Sequence, residues 1–192
     1  NSILTGLLFF AILTIITDIL SLPFSLYSTF VIEEKFGFNK MNLKTFFLDK
    51  IKSYFLVIII GGLLITILLI SIIYFSNNFW IYFWIFMSLF TVFINLFYTS
   101  LILPIFNKLK PLEDGSLKDK IYNYAKSVKF PLSNIFVIDG SKRSSKANAF
   151  FSGLGPRKTI ALYDTLVEKH SEEELVAVLA HEVGHFKKKH VF

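Results

Sequence analysis

From Tyr54 to Asn107 the chain carries no charged side chain. About 20 apolar residues suffice to cross a bilayer as a helix, so this stretch predicts two crossings. The break falls at Ser76-Asn77-Asn78, polar and turn-prone, with Tyr74, Trp80 and Tyr82 nearby as interfacial aromatics. Helices are thus expected over about 54–75 and 79–106. An earlier apolar stretch, Ile3 to Leu22, predicts another crossing that bends at Pro23 and covers about 3–32. The intervening residues 33–53 read as a basic loop. Residues 1–106 therefore read as a transmembrane region of three helices.

After Pro104 and Lys108-Leu109-Lys110-Pro111 the pattern becomes that of an ordinary amphiphilic domain, residues 107–192. Leu117, Ile121, Tyr124, Ala125 and Val128 recur at helical spacing and predict a helix over Ser116–Lys129. Short apolar runs at Ile135–Ile138, Ala147–Ser152 and Thr159–Tyr163 predict strands, the last two separated by Gly153, Gly155 and Pro156. Asp164–Lys169 reads as a short helix. The next one opens on a capping box, Ser171 with Glu174, with Glu172 and Glu173 also in its first turn, where the dipole favours acids. Leu175, Val176, Val178, Leu179, Val183 and Phe186 give it an apolar face, and Lys187, Lys188 and Lys189 a basic end. The fold class expected is a mainly α membrane protein, its three crossings followed by part of an α+β domain.

Composition sharpens this. The chain is 54% hydrophobic, 23 of its residues being Phe, which excludes an average soluble domain. There is no cysteine, hence neither a disulfide framework nor a thiolate nucleophile. The net charge of +6 matters through its placement. Lys35, Lys40, Lys44, Lys50 and Lys52 precede the uncharged stretch, Lys108 and Lys110 follow it, and the turn between the two crossings has none. By the positive-inside rule both basic stretches face the cytoplasm, and the domain after the last crossing with them. Anionic lipid headgroups, not nucleic acid, are the partner such charges imply, since they flank spans and line no aromatic groove. The first apolar segment lacks the basic start and the cleavage site of a signal peptide. The chain opens with Asn1 and reads as an excerpt of a longer one.

The last predicted helix contains His181-Glu182-Val183-Gly184-His185. Four residues is close to one helical turn, so both imidazoles leave one face and can converge on a metal ion. Zinc suits neutral imidazoles, and a catalytic zinc takes three protein ligands and keeps one position open. Glu182 is placed to act as general base toward the attacking water. One Zn2+ per chain and a metal-dependent peptidase follow, although no third protein ligand follows the motif before Phe192. Two surface histidines are the alternative, which the strongly capped apolar helix disfavours. A closed structural zinc usually draws on cysteine, and none is present. His190 stands past a further full turn, off the metal axis, and His170 reads as a surface residue beside the cap.

Three other readings concern substrate and membrane. Asn148, Ala149 and Phe150 lie on an expected edge strand that can pair with an extended peptide, as substrate-binding residues. The alternative is an ordinary turn in which Asn148 caps a bend. Lys142, Arg143 and Lys146 read as a solvated or lipid-facing patch. Asp18, among Ile15, Ile16, Ile19 and Leu20, must face protein, a watery cavity or the nearby headgroups. Asn95 reads as interhelical glue.

Several longer stretches carry a resemblance. They are Leu22-Pro23-Phe24-Ser25-Leu26-Tyr27, Thr29-Phe30-Val31-Ile32-Glu33-Glu34-Lys35, Gly37-Phe38-Asn39, Gly140-Ser141-Lys142-Arg143-Ser144-Ser145, Asn148-Ala149-Phe150-Phe151, Leu162-Tyr163-Asp164-Thr165-Leu166 and the His181–His185 motif. In this order they resemble the type I CAAX prenyl proteases, integral-membrane zinc metalloproteases. The resemblance implies a many-helix barrel around a water-filled chamber, closed on one side by a zincin-like peptidase domain. It implies that His181, His185 and a glutamate of a later helix bind zinc, with Glu182 as catalytic base. Members of the family are longer at both ends, so this chain alone is expected to be poorly active or inactive.

The function expected is a membrane zinc metalloendopeptidase that cleaves near the C terminus of proteins or peptides, prenylated ones in eukaryotic members. The alternatives are an HtpX-like quality-control protease, or a non-catalytic membrane scaffold should the native protein lack a third ligand. The abundance of Phe, Ile, Lys and Asn leans toward an AT-rich genome and a bacterial inner membrane, with the endoplasmic reticulum as the eukaryotic counterpart.

Overall fold

The computed structural model describes residues 2–152 and 158–188 and divides into two compact units, Asn1–Phe93 and Ile94–Phe192. In the first unit α1 (Ser2–Tyr27) passes through Pro23 without ending and continues as a π-helical stretch, Ser28–Glu33. Pro23 costs the helix the backbone bond to the Ile19 carbonyl. Thr17, Ser21 and Ser25 each donate to the carbonyl one turn back, those of Leu13, Thr17 and Ser21. The most apolar 18-residue window within Ser2–Glu33 has a mean hydropathy of 2.4.

A tight connection follows, held by Asn39. Its Nδ2 donates to Glu34 Oε2 at 2.8 Å and its Oδ1 accepts from Met41 N at 2.8 Å, while Gly37 takes φ 71, a conformation suited to glycine. Asn42 then caps α2 (Leu43–Leu56), its Oδ1 accepting from Thr45 N at 2.8 Å. The basic stretch 33–53, expected as a loop, is therefore helical from Leu43 onward. Lys44, Lys50 and Lys52 share a helix with Phe46, Phe47 and Leu48, and the cap sets the start well before the charge-free region. α2 runs through a π-helical Val57–Gly61 into α3 (Gly62–Phe75).

At Ser76 (φ 44, ψ −117) the helix breaks over Ser76–Asn78, and Phe75 stacks on Tyr82 at 4.1 Å before α4 (Phe79–Phe97) continues. Without that break the 64-residue run Leu43–Phe106 would extend about 96 Å, some three times the hydrocarbon core of a bilayer. Gly6 lets α1 approach α3: a Cβ there would stand 2.6 Å from Leu69 Cδ1. Asp18 faces protein. Lys50 Nζ lies 2.7 Å from its Oδ1, and the Tyr54 hydroxyl donates to its Oδ2. The polar cost of Asp18 is thus met by α2.

The second unit takes in the end of α4, a π-helical turn Tyr98–Ile102 and α5 (Leu103–Phe106). It then builds β1 (Leu109–Pro111), α6 (Ser116–Ser127), β2 (Leu132–Ile138), β3 (Ala149–Ser152), β4 (Lys158–Tyr163), α7 (Asp164–Lys169) and α8 (Glu172–Lys187). The four strands form one sheet in the order β1-β2-β4-β3, with β2 and β4 parallel and both outer pairings antiparallel. β1 was not expected. It is three residues long, ends in Pro111 and lies at an edge, where a missing N–H is tolerated.

Alternation along β4 separates two apolar layers. Ile160 and Leu162 face Ile121 of α6 and Leu175 and Leu179 of α8, whereas Ala161 joins Leu103 and Ile138 on the other side. The cap of α8 is reciprocal: Ser171 N donates to Glu174 Oε2 at 2.9 Å, and Glu174 N approaches Ser171 Oγ at 3.4 Å. That bond holds the Glu174 carboxyl below its ordinary pKa. Lys120 of α6 pairs with Glu172 (2.9 Å) and Glu173 (2.5 Å), joining the two helices at the start of α8.

Candidate metal centre

α8 buries Leu175, Leu179 and Val183, one per turn, at 1%, 2% and 3% exposure. His181 and His185 lie about 140° around the helix from this stripe, on the face turned away from the core. His181 is exposed and His185 half-buried. Their Nε2 atoms are 3.0 Å apart and their ring planes cross at 83°. Two imidazoles on a tetrahedral zinc, with Zn–N near 2.0–2.1 Å, would hold their nitrogens about 3.3 Å apart. The pair is folded to within a few tenths of an ångström of that edge, so it fits zinc. The same spacing also serves a direct N–H···N bond between the rings. Glu182, half-exposed, projects between the histidine face and the packed face. Among the described residues no third His, Cys, Asp or Glu joins the pair. His190 lies outside the described residues, and His170 ends α7 with its Nδ1 3.1 Å from Leu166 O.

Beside α8 stands β3. Val183 and Phe151 belong to one cluster with Ala125 and Phe130. β3 pairs with β4 on one side only, making it an edge strand among the described residues. Tyr163 N donates to Asn148 O at 3.0 Å, so by antiparallel alternation Phe150 and Ser152 also turn their backbone groups to β4, and Ala149 and Phe151 turn theirs outward. Asn148 Oδ1 accepts from Ala149 N at 2.9 Å, the local bend-capping role. The ring of Phe150 packs on Leu103, Ile138 and Ala161 and meets Tyr98 edge-on at 6.4 Å. What Ala149 and Phe151 present to the open edge is main chain.

The segment before β3 is tied down at almost every residue. Asp139 Oδ1 accepts from Lys108 N at 2.7 Å, and Asp164 accepts from both the backbone N–H (2.8 Å) and the hydroxyl of Ser141. Buried Thr165 donates to Lys146 O at 2.9 Å, and Lys169 to Ser145 O at 2.7 Å. Arg143, expected on a basic surface patch, instead donates to Phe106 O at 2.6 Å and Asn107 Oδ1 at 2.8 Å, closing the end of α5. The sequence marked Asp164 and Thr165 as a helix start inside a resembling stretch, but not their partners Ser141 and Lys146 some twenty residues away. Burial pushes the Tyr163 hydroxyl pKa up and the Lys158 ammonium pKa down.

Gly140 packs under Tyr163: a Cβ there would stand 2.5 Å from the ring's Cδ2. Gly140→Ala is expected to cost about 1–3 kcal/mol through overpacking, read as a lower Tm of the detergent-solubilised full-length protein. An unchanged Tm would show that the ring moves freely.

Two family models cover the chain. "CAAX prenyl protease N-terminal, five membrane helices" matches residues 1–108, and "Peptidase family M48" matches residues 111–192. The CAAX prenyl protease 1 homolog of Arabidopsis thaliana is 45% identical, the match covering 99% of this chain and 45% of that protein. CAAX prenyl protease 1 of Saccharomyces cerevisiae is 44% identical over 100% of this chain and 42% of its own length. The crystal structure of S. mikatae Ste24p superposes with a TM-score of 0.93 at 45% identity, covering 97% of this chain and 44% of that one. The chain thus spans less than half the length of these relatives. With both parts matched in order and the fold shared, the chain belongs to the CAAX prenyl protease family of M48 peptidases.

Proposed function

We propose that the whole protein is a membrane zinc endopeptidase that hydrolyses peptide bonds near the C terminus of prenylated proteins or peptides. The observation that carries this is the convergence of the two Nε2 atoms at 3.0 Å on the outward face of a firmly packed, capped helix. His181 and His185 would hold the metal, the third ligand coming from outside the described residues. Zinc, when bound, supplies Lewis acidity toward a carbonyl and acidifies water. Glu182 takes a proton from the attacking water and returns it to the leaving nitrogen as the C–N bond breaks. The Ala149 carbonyl and the outward main chain of Phe151 hydrogen-bond an extended substrate as an added strand, with Asn148 holding the bend that begins it through the Ala149 N–H and Phe150 anchoring it from behind.

Three membrane crossings in residues 1–106, supported by the Ser76 break, and a peptidase domain in 107–192, supported by the family match to residues 111–192, complete the reading. The lysines on α2 and after α5 support a cytoplasmic peptidase domain. The relatives' names favour prenylated substrates over an HtpX-like or scaffold role, and their eukaryotic sources favour the endoplasmic reticulum over a bacterial inner membrane.

The test is hydrolysis by the full-length protein in lipid vesicles. A farnesylated C-terminal peptide is expected to be cleaved, with loss on chelation and recovery on adding Zn2+. Cleavage of misfolded membrane proteins but not of the prenylated peptide would refute the substrate class. No chelator-sensitive cleavage of either would refute the peptidase.

A further inference from the structure

Among the described residues β3 spans four positions and is paired along one side, yet the reading above, on which this inference rests, asks its other side to hold a peptide in register. What keeps so short a strand in place is visible on its two faces. Ala149 and Phe151 point to the helical layer, where the Phe151 ring lies 5.0 Å from that of Phe130. Phe150 and Ser152 point the opposite way and meet consecutive residues of the π-helical turn Tyr98–Ile102. The Tyr98 ring contacts the Phe150 ring edge-on, and the Thr99 hydroxyl donates to the Ser152 hydroxyl.

A π turn is wider than an α turn, so successive side chains diverge less around its axis, and such turns often mark functional positions. In this one, two neighbours reach two alternate residues of a single strand. Both contacts lie within the unit Ile94–Phe192. Neither occupies the outward main chain of Ala149 or Phe151.

We propose that Tyr98 and Thr99 are positioning residues that fix the free edge of β3 for an incoming peptide backbone. They touch neither the metal pair nor the reacting bond, and they act through Phe150 and Ser152. Strand addition needs several main-chain bonds in phase, so a loosened β3 would weaken peptide binding and leave the chemistry of bound peptide intact.

The experiment uses the full-length protein, with peptide binding read by fluorescence anisotropy in a Glu182→Gln background and turnover read without that change. Thr99→Val and Ser152→Ala are each expected to raise the Kd and KM roughly three- to tenfold, the effect of one lost hydrogen bond, with kcat and metal content unchanged. The double variant should be no weaker than the weaker single, because both remove the same bond. Thr99→Ser, which keeps the hydroxyl, should restore binding, and Tyr98→Ala should weaken it independently. Additive effects of Thr99→Val and Ser152→Ala, a fall in kcat at constant KM, or an unchanged Kd would each overturn the assignment. Failure of the peptidase reading is distinct: the parent protein would then show no chelator-sensitive turnover, whatever the anisotropy of the variants.

Discussion

Glu182→Gln in the full-length protein is expected to lower kcat about a hundred- to ten-thousandfold, the range for a missing general base, while metal content stays at the parent level. Glutamine keeps the length and shape of the side chain but cannot accept the proton that water must lose. The substitution also spares the helix. Glu182 is half-exposed, whereas α8 is held by Leu175, Leu179 and Val183 and by the Ser171–Glu174 cap. Elemental analysis and single-turnover kinetics on the same preparation separate the two effects. Turnover within a few-fold of the parent would remove Glu182 from the chemistry. Loss of metal along with turnover would make it a ligand instead of a base.

The division between what could be read from the chain and what could not follows the sequence separation of the interacting groups. The cap of α8, its apolar stripe and the convergence of His181 with His185 are contacts across one turn, and helical spacing contains them. The apolar runs and the break at Ser76 are equally local. Asp18 was visibly anomalous, but its partners Lys50 and Tyr54 lie 32 and 36 residues away, and no local pattern names them. Arg143 looked like one of several surface cations until it met Phe106 O, 37 residues earlier. The start of α2 was hidden because its lysines were read as loop charge, although the Asn42 cap was there to be seen. β1 is too short to carry any period of its own and exists only because β2 offers an edge. The candidate site splits along the same line. The histidine pair was legible as a motif, whereas the open edge of β3 depends on a sheet order no single segment encodes.

His185→Ala is expected to take the metal content of the full-length protein from about one per chain to below a tenth, and kcat/KM to background. Removing even an outer-shell partner of a metal ligand typically costs 10–100-fold in affinity, and His185 would be a direct ligand. The histidine sits away from the buried stripe of α8, so its removal leaves the helix packed against α6 and the sheet. Stability then supplies a check independent of turnover. A metal that binds only the folded state raises the Tm of the parent, and a chelator removes that increment. The Tm of His185→Ala should match the chelated parent and should not respond to chelator, and His181→Ala should behave alike, since each leaves a single nitrogen on the face. A His185→Ala protein that keeps its metal would mean that the 3.0 Å approach of the two rings is a hydrogen bond between imidazoles, with the metal held elsewhere.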